Sequence, residues 1–254
     1  RTIVMPLVAI QARSWHAPAQ STIADHAGLI RTMMTVAEAI TGRHSVRAYL
    51  DKPVARETVE RILTIASRAP SGSNIQPWFV HVLQGPVKDE LERTLAGLHF
   101  ADAPAERDYA YYPERWREPY LGRRRACGFG LYKTLGIGRD DKVRMKAQHA
   151  LNYSFFGAPV GLIFSIDRDM EVGSWLDYGM FLQSIMIAAR GEGLETCPQA
   201  AFAYQSPTVQ RLVGIPPERM LVCGMALGYA DPAAIVNTFR TDREPLDAFV
   251  TWCD

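Results

Sequence analysis

The chain reads as an α+β fold built around one sheet, and three observations carry that reading. Residues 160–166 and 220–228 are near-continuous apolar runs with the length and composition of strands buried on both faces. Residues 78–83 form a shorter β-branched and aromatic run. Between these runs stand stretches whose apolar residues recur at helical spacing, and strands interspersed among helices lead to a layered α+β architecture.

Taken in order, residues 1–33 read as an N-terminal extension outside the core, and residues 34–254 as a single domain. The first 32 residues hold three arginines and one acid, Asp25, and the apolar patch at 5–10 is interrupted too soon for a secretory signal. Met33 or Met34 is the expected working start, or else the extension is an arm on a partner subunit; without that role it is expected to be poorly ordered. From Thr35 the pattern turns helical and ends at Gly42. A turn at 51–54 leads into an amphipathic helix starting near Ala55, with Val59, Ile62, Leu63, Ile65 and Ala66 as its apolar positions.

That helix delivers the loop Pro70-Ser71-Gly72-Ser73-Asn74, in which Gly72 is free to take positive φ, and Gln76-Pro77 opens onto the first strand. Gly85-Pro86 is expected to break the chain before a helix over 87–98. The segment 100–148 interleaves Tyr109, Tyr111, Tyr112, Trp116 and Tyr120 with Arg107, Arg115, Arg117, Arg123, Arg124 and Arg125. It reads as a lid or dimer flank whose aromatics face a planar substrate, with plain packing as the other reading. Gly128-Phe129-Gly130 and Gly136-Ile137-Gly138 complete no dinucleotide fingerprint.

Gly173 starts a further helix, with Ser174 in the N-cap position and Asp177 in that of a capping box. This helix is apolar nearly all round, which predicts burial on most faces and suits the heart of a subunit interface. Residues 195–202 read as a second loop of small residues, followed by a helix over 207–213 and the strand at 220–228.

The chemistry concentrates in two places. Arg43, Ser45 and Arg47 occupy alternate positions, so in an extended segment they point one way, and two guanidiniums beside a hydroxyl suit a phosphate. The 71–74 loop, opening onto a sheet edge, is placed to carry binding groups. Other chemistries have little support. The 28 Lys and Arg against 27 Asp and Glu give no field for a nucleic acid. Cys127, Cys197, Cys223 and Cys253 lie far apart, which predicts reduced thiols in a cytoplasmic protein and no metal site. No apolar run reaches the length of a membrane span, and no Ser-His-Asp or Cys-His set stands out.

Arg43-His44-Ser45-Val46-Arg47 followed by P-S-G-S-N-I-Q-P-W at 70–78 resembles the FMN-dependent nitroreductase family, and the likeness runs from residue 34 to residue 252. The resemblance implies a central, mostly antiparallel sheet flanked by helices and an intertwined homodimer with FMN at the subunit interface. NADH or NADPH and a small planar aromatic acceptor take the same place in turn, by ping-pong hydride transfer through flavin N5. It further implies that Arg43 and Ser45, with His44 inside the motif, hold the FMN phosphate together with Arg243 and Arg240, and that Arg47 faces the pyrimidine end of the ring. Ser71, Gly72, Ser73, Asn74 and Gln76 match the loop around the ring and ribityl chain, some of it supplied across the dimer, and Asn152 matches a polar flavin contact. Pro198, Gln199, Ala200 and Ala201 match the loop that approaches N5.

The likeness is greatest to the branch acting on nitrobenzoates and dinitroanilines. Ala200 stands where several relatives carry an acid. The same scaffold also serves quinone or activated-alkene reduction and reductive dehalogenation, and a flavin-binding protein without turnover is the reading from another class.

Overall fold

In the computed structural model, which describes residues 34–253, the apolar runs form a four-stranded sheet of order β1-β2-β4-β3. Its strands are β1 (Phe79–Leu83), β2 (Val160–Asp167), β3 (Glu195–Gln199) and β4 (Arg219–Gly228). All three pairings within the sheet are antiparallel, with Val82 opposite Leu162, Leu162 opposite Met225, and Cys197 opposite Ala226. The sheet therefore contains no parallel crossover of the kind that binds dinucleotides. The expectations for residues 1–33 lie outside the described residues.

β2 and β4 take the centre because their sequences are apolar on both sides. Along β2, Leu162, Phe164 and Ile166 join one core layer and Ile163 the other, as the twofold strand period requires. The first layer is covered by α2 (Arg56–Ala66) and α6 (Val172–Gly191), where Trp78 stacks on Phe181 at 4.6 Å. The second is covered by α3 (Gly85–Phe100), by α7 (Ser206–Val213) and by the turn Leu151–Gly157. There Phe155 stacks on Phe202 at 4.6 Å, and a Cβ on Gly161 would lie 2.5 Å from the Phe155 ring, so β2 needs glycine at that point.

The helix starts follow their caps, with two corrections to the sequence reading. α1 (Val36–Gly42) begins at a capping box in which Glu38 N donates to Thr35 Oγ1 at 3.2 Å and Thr35 N to Glu38 Oε2 at 2.7 Å. Gly85-Pro86 does not break the chain but starts α3, because proline has no amide to lose in a first turn. Nor is Ser174 the cap of α6. The helix begins two residues earlier, after Glu171, and the buried Asp177 turns its carboxylate to another partner.

The segment after α3 holds α4 (Tyr120–Thr134) and α5 (Lys142–Ala150). α4 has no buried residue, and its Gly130 lies against the Phe239 ring. Among the described residues no helix is long and apolar enough to cross a membrane.

Candidate functional site

The segment after α1 runs extended beside β3. Val46 N donates to Thr196 O at 3.1 Å, and Arg47 N to Asn237 Oδ1 at 2.8 Å. Val46 is buried while Ser45 and Arg47 remain half-exposed, as the alternation in the sequence requires. Ser45 reaches the Cys197 thiol, and Arg47 donates from one guanidinium nitrogen to Ser45 O at 3.1 Å.

Around this segment the fold collects positive charge from three distant parts of the chain. Burial, then the like charge of Arg243, draws the Arg43 guanidinium below its ordinary pKa, and Arg190 adds to the effect. Burial also lowers His44, and Arg240, Arg190 and Arg43 act in the same direction. Glu195 is a carboxylate set within this group; burial raises its pKa while Arg190, Arg240 and Arg43 pull it down. Arg190 and Glu195 form an ion pair, yet Arg190 Nε and Glu195 Oε2 are buried without a hydrogen-bond partner among the described residues.

Arg190 is paired with Glu195, but Arg43 is held against the like charge of Arg243 and Arg240 lies beside the same segment, and an anion relieves that repulsion. A phosphate monoester carries a charge of about −1.5 to −2, so this donor set fits the FMN phosphate. Gly42 is what lets the group close up, since a Cβ there would stand 2.6 Å from Arg190.

The Ser71–Gln76 loop lies elsewhere in the chain. Gly72 N donates to Asp177 Oδ2 at 3.1 Å, and Gln76 N to Ser71 Oγ at 3.0 Å. Positive φ falls on Ser73, Asn74 and Gln76 at 49°, 58° and 49°, and not on Gly72 as the sequence leads one to expect. Side-chain-bearing residues held in this region are a recurrent mark of ligand loops. Asp177 is near the start of α6 and Arg190 near its end, a separation of about 20 Å at a rise of about 1.5 Å per residue. Within one chain, then, the loop and the arginines stand at opposite ends of that helix.

At the end of β3, the residues expected near flavin N5 border a cavity of about 720 Å³. The segment 195–202, expected as a loop, is instead strand β3 followed by a short 3₁₀ turn. Pro198, Gln199 and Ala200 line the cavity with Tyr109, Tyr111, Trp175 and Gly179, while Ala201 is buried outside that lining. Gln199 is 2 % exposed; its Nε2 donates to Asn152 O at 2.6 Å, and its Oε1 is buried without a partner among the described residues. Asn152 spends its amide on His149 O at 2.9 Å, so its side chain is engaged in its own turn.

The aromatic segment divides in two. Tyr109 donates to Val222 O and packs on Trp175 at 4.8 Å, so the start of the segment lines the cavity. Tyr112, Trp116 and Arg124 instead pack on one another outside it, with Tyr112 exposed. Asp108 fastens the start: Arg168 donates to it at 2.9 Å, Gln210 at 3.1 Å and Leu221 N at 3.4 Å, and Ser206 donates as well. Burial pushes the Cys223 thiol in the cavity wall up to about 12, which keeps it protonated and inert.

Asp108, Arg190 and Asn237 escape a sequence reading, and so do the roles of Asp177 and Glu195. Their partners are distant in the chain or lie across a turn, and no local motif announces them.

The chain resembles known proteins over most of its length. The profile of the nitroreductase family matches residues 40–229. A 4-nitrobenzoate reductase of Nocardioides sp. (strain LMS-CY) is 40% identical over 216 residues, 84% of this chain and 87% of that protein. A chloronitrobenzene nitroreductase of Comamonas testosteroni is 39% identical over 215 residues, 84% of this chain and 94% of its own. Among solved structures, the FMN and NADPH-dependent nitroreductase NfnB from Sphigopyxis sp. strain HMH superposes with a TM-score of 0.84 at 38% identity, covering 87% of this chain and 99% of that one. By fold and sequence, the chain belongs to the nitroreductase family.

Proposed function

We propose that residues 34–254 form an FMN-binding oxidoreductase domain that uses NAD(P)H to reduce nitroaromatic compounds. The observation that carries this reading is the group of four guanidiniums gathered at Arg43, Arg190, Arg240 and Arg243, a site built for a phosphate. Bound FMN would supply the hydride chemistry between the nicotinamide and the nitroarene. The chain's own residues bind and orient. Arg43, Ser45, Arg243 and Arg240 hold the phosphate end, and Arg47 brings positive charge to the ring's pyrimidine end. Tyr109, Tyr111 and Trp175 present flat apolar surface for a planar acceptor. No described side chain near Pro198–Ala201 is needed as an acid, and water supplies the protons.

The working unit we infer is a homodimer. Val172 and Leu176, at 78% and 72% exposure, form with Met180 an apolar stripe at i, i+4, i+8 on α6. When two copies of such a helix pair about a twofold axis perpendicular to them, the start of one lies beside the end of the other. That arrangement carries the Ser71–Gln76 loop of one chain toward the arginines of its partner, which the single chain holds about 20 Å apart. The free state of all four thiols supports placing the protein in the cytoplasm.

The test is FMN retention. Replacing Arg43 or Arg243 by Ala removes a charge-assisted contact worth about 1.5–3 kcal/mol, which corresponds to roughly 10- to 100-fold weaker FMN binding. The double variant is expected to purify colourless or to lose FMN on dialysis. Retention equal to wild type would refute the assignment of the phosphate site.

A further inference from the structure

Building on the nitroreductase reading, we propose that the cavity at Tyr109, Trp175 and Ala200 selects uncharged nitroarenes and rejects nitrobenzoates, and that Glu171 is the residue that enforces the choice. The lining includes Met170, Val172, Leu182, Met220 and Val222 besides the aromatics. Among the described residues that line it, only Asp108 and Glu171 carry carboxylates, and there is no Lys, Arg or His. Of this chain's own lining, no cation would receive a carboxylate on the acceptor as it left water for that apolar surface.

The charges beside the cavity sharpen the choice. Asp108 is balanced by Arg168 at 2.9 Å, and Asp167 by Arg219 at 3.1 Å. Asp169 and Glu171 contribute the remaining charge of that stretch. The first turn of α6 also borders the cavity, and a helix N-terminus carries about half a positive charge, which by itself would attract a benzoate. Glu171 stands at that terminus with a full negative charge and makes no cap hydrogen bond. Glu171 lies exposed at the cavity rim, and its carboxylate opposes that attraction. Ala200 leaves the wall apolar beside Pro198.

The test measures binding separately from turnover. FMN-loaded protein in the oxidised state, without reductant, is titrated with nitrobenzene, 4-chloronitrobenzene and 4-nitrobenzoate, and the change in flavin absorbance and tryptophan fluorescence gives each Kd. The wild type is expected to bind the two neutral compounds at least about tenfold more tightly than 4-nitrobenzoate. Glu171→Gln is expected to narrow that ratio roughly threefold, and Glu171→Lys to narrow it further. Equal or tighter binding of 4-nitrobenzoate by the wild type overturns the proposal, as does a ratio that neither variant changes. Anaerobic turnover with NADPH is then measured on the same samples. If none of the three compounds is reduced, the nitroreductase reading fails while the binding ratio still decides the charge selection.

Discussion

Without the Asp177 carboxylate, the Gly72 amide would lose its acceptor at a point where the next residues are already held at positive φ. The bond is part-buried, and a hydrogen bond to a charged group contributes about 1.5–3 kcal/mol. Asp177→Ala is therefore expected to lower the melting temperature and to loosen the Ser71–Gln76 loop, weakening FMN binding in equilibrium dialysis. Asp177→Asn keeps an acceptor oxygen and should restore most of both. An Asn variant as impaired as Ala would mean that charge, not the bond to Gly72, is what matters. Arg43, Ser45 and Arg47 are legible in the sequence because their alternation is local and the chain there is extended. Asp177 is not. Three residues after Ser174, it reads as part of a cap until the fold brings Gly72, 105 residues away, against it.

Among the elements, the apolar strands and amphipathic helices are legible because burial leaves a period in the sequence. β3 is not, because Glu195–Gln199 contains Pro198 and too few β-formers to stand out. It is a strand because it lies at the sheet edge, where one missing amide donor is tolerated. For α6 the composition points to burial on most faces, and the fold grants only part of it. Phe181, Ile185 and Ala189 are covered by the chain itself, whereas Val172 and Leu176 are exposed. In the proposed homodimer a second copy would cover the exposed part. Leu176→Glu places a charge in the middle of the stripe and is expected to convert a dimer to a monomer in sedimentation equilibrium, with loss of bound FMN. A dimer that keeps both its mass and its flavin would place the interface on another face.

At the largest scale, residues 34–253 form an antiparallel sheet between two helical layers, with the proposed chemistry at the ends of α6 and along β3. The general fold is legible from the strands, and the family from two short motifs. The cavity is not, because it is assembled from β3, β4, α6 and the start of the aromatic segment, which lie far apart in the chain. If this frame holds FMN between NAD(P)H and a nitroarene, the visible spectrum of the purified protein will report it, followed anaerobically as NADPH and then nitrobenzene are added. Flavin bands should bleach with the nucleotide and return with the nitroarene. No flavin bands even after incubation with FMN, or bands that NADPH and NADH both leave unchanged, would contradict that arrangement.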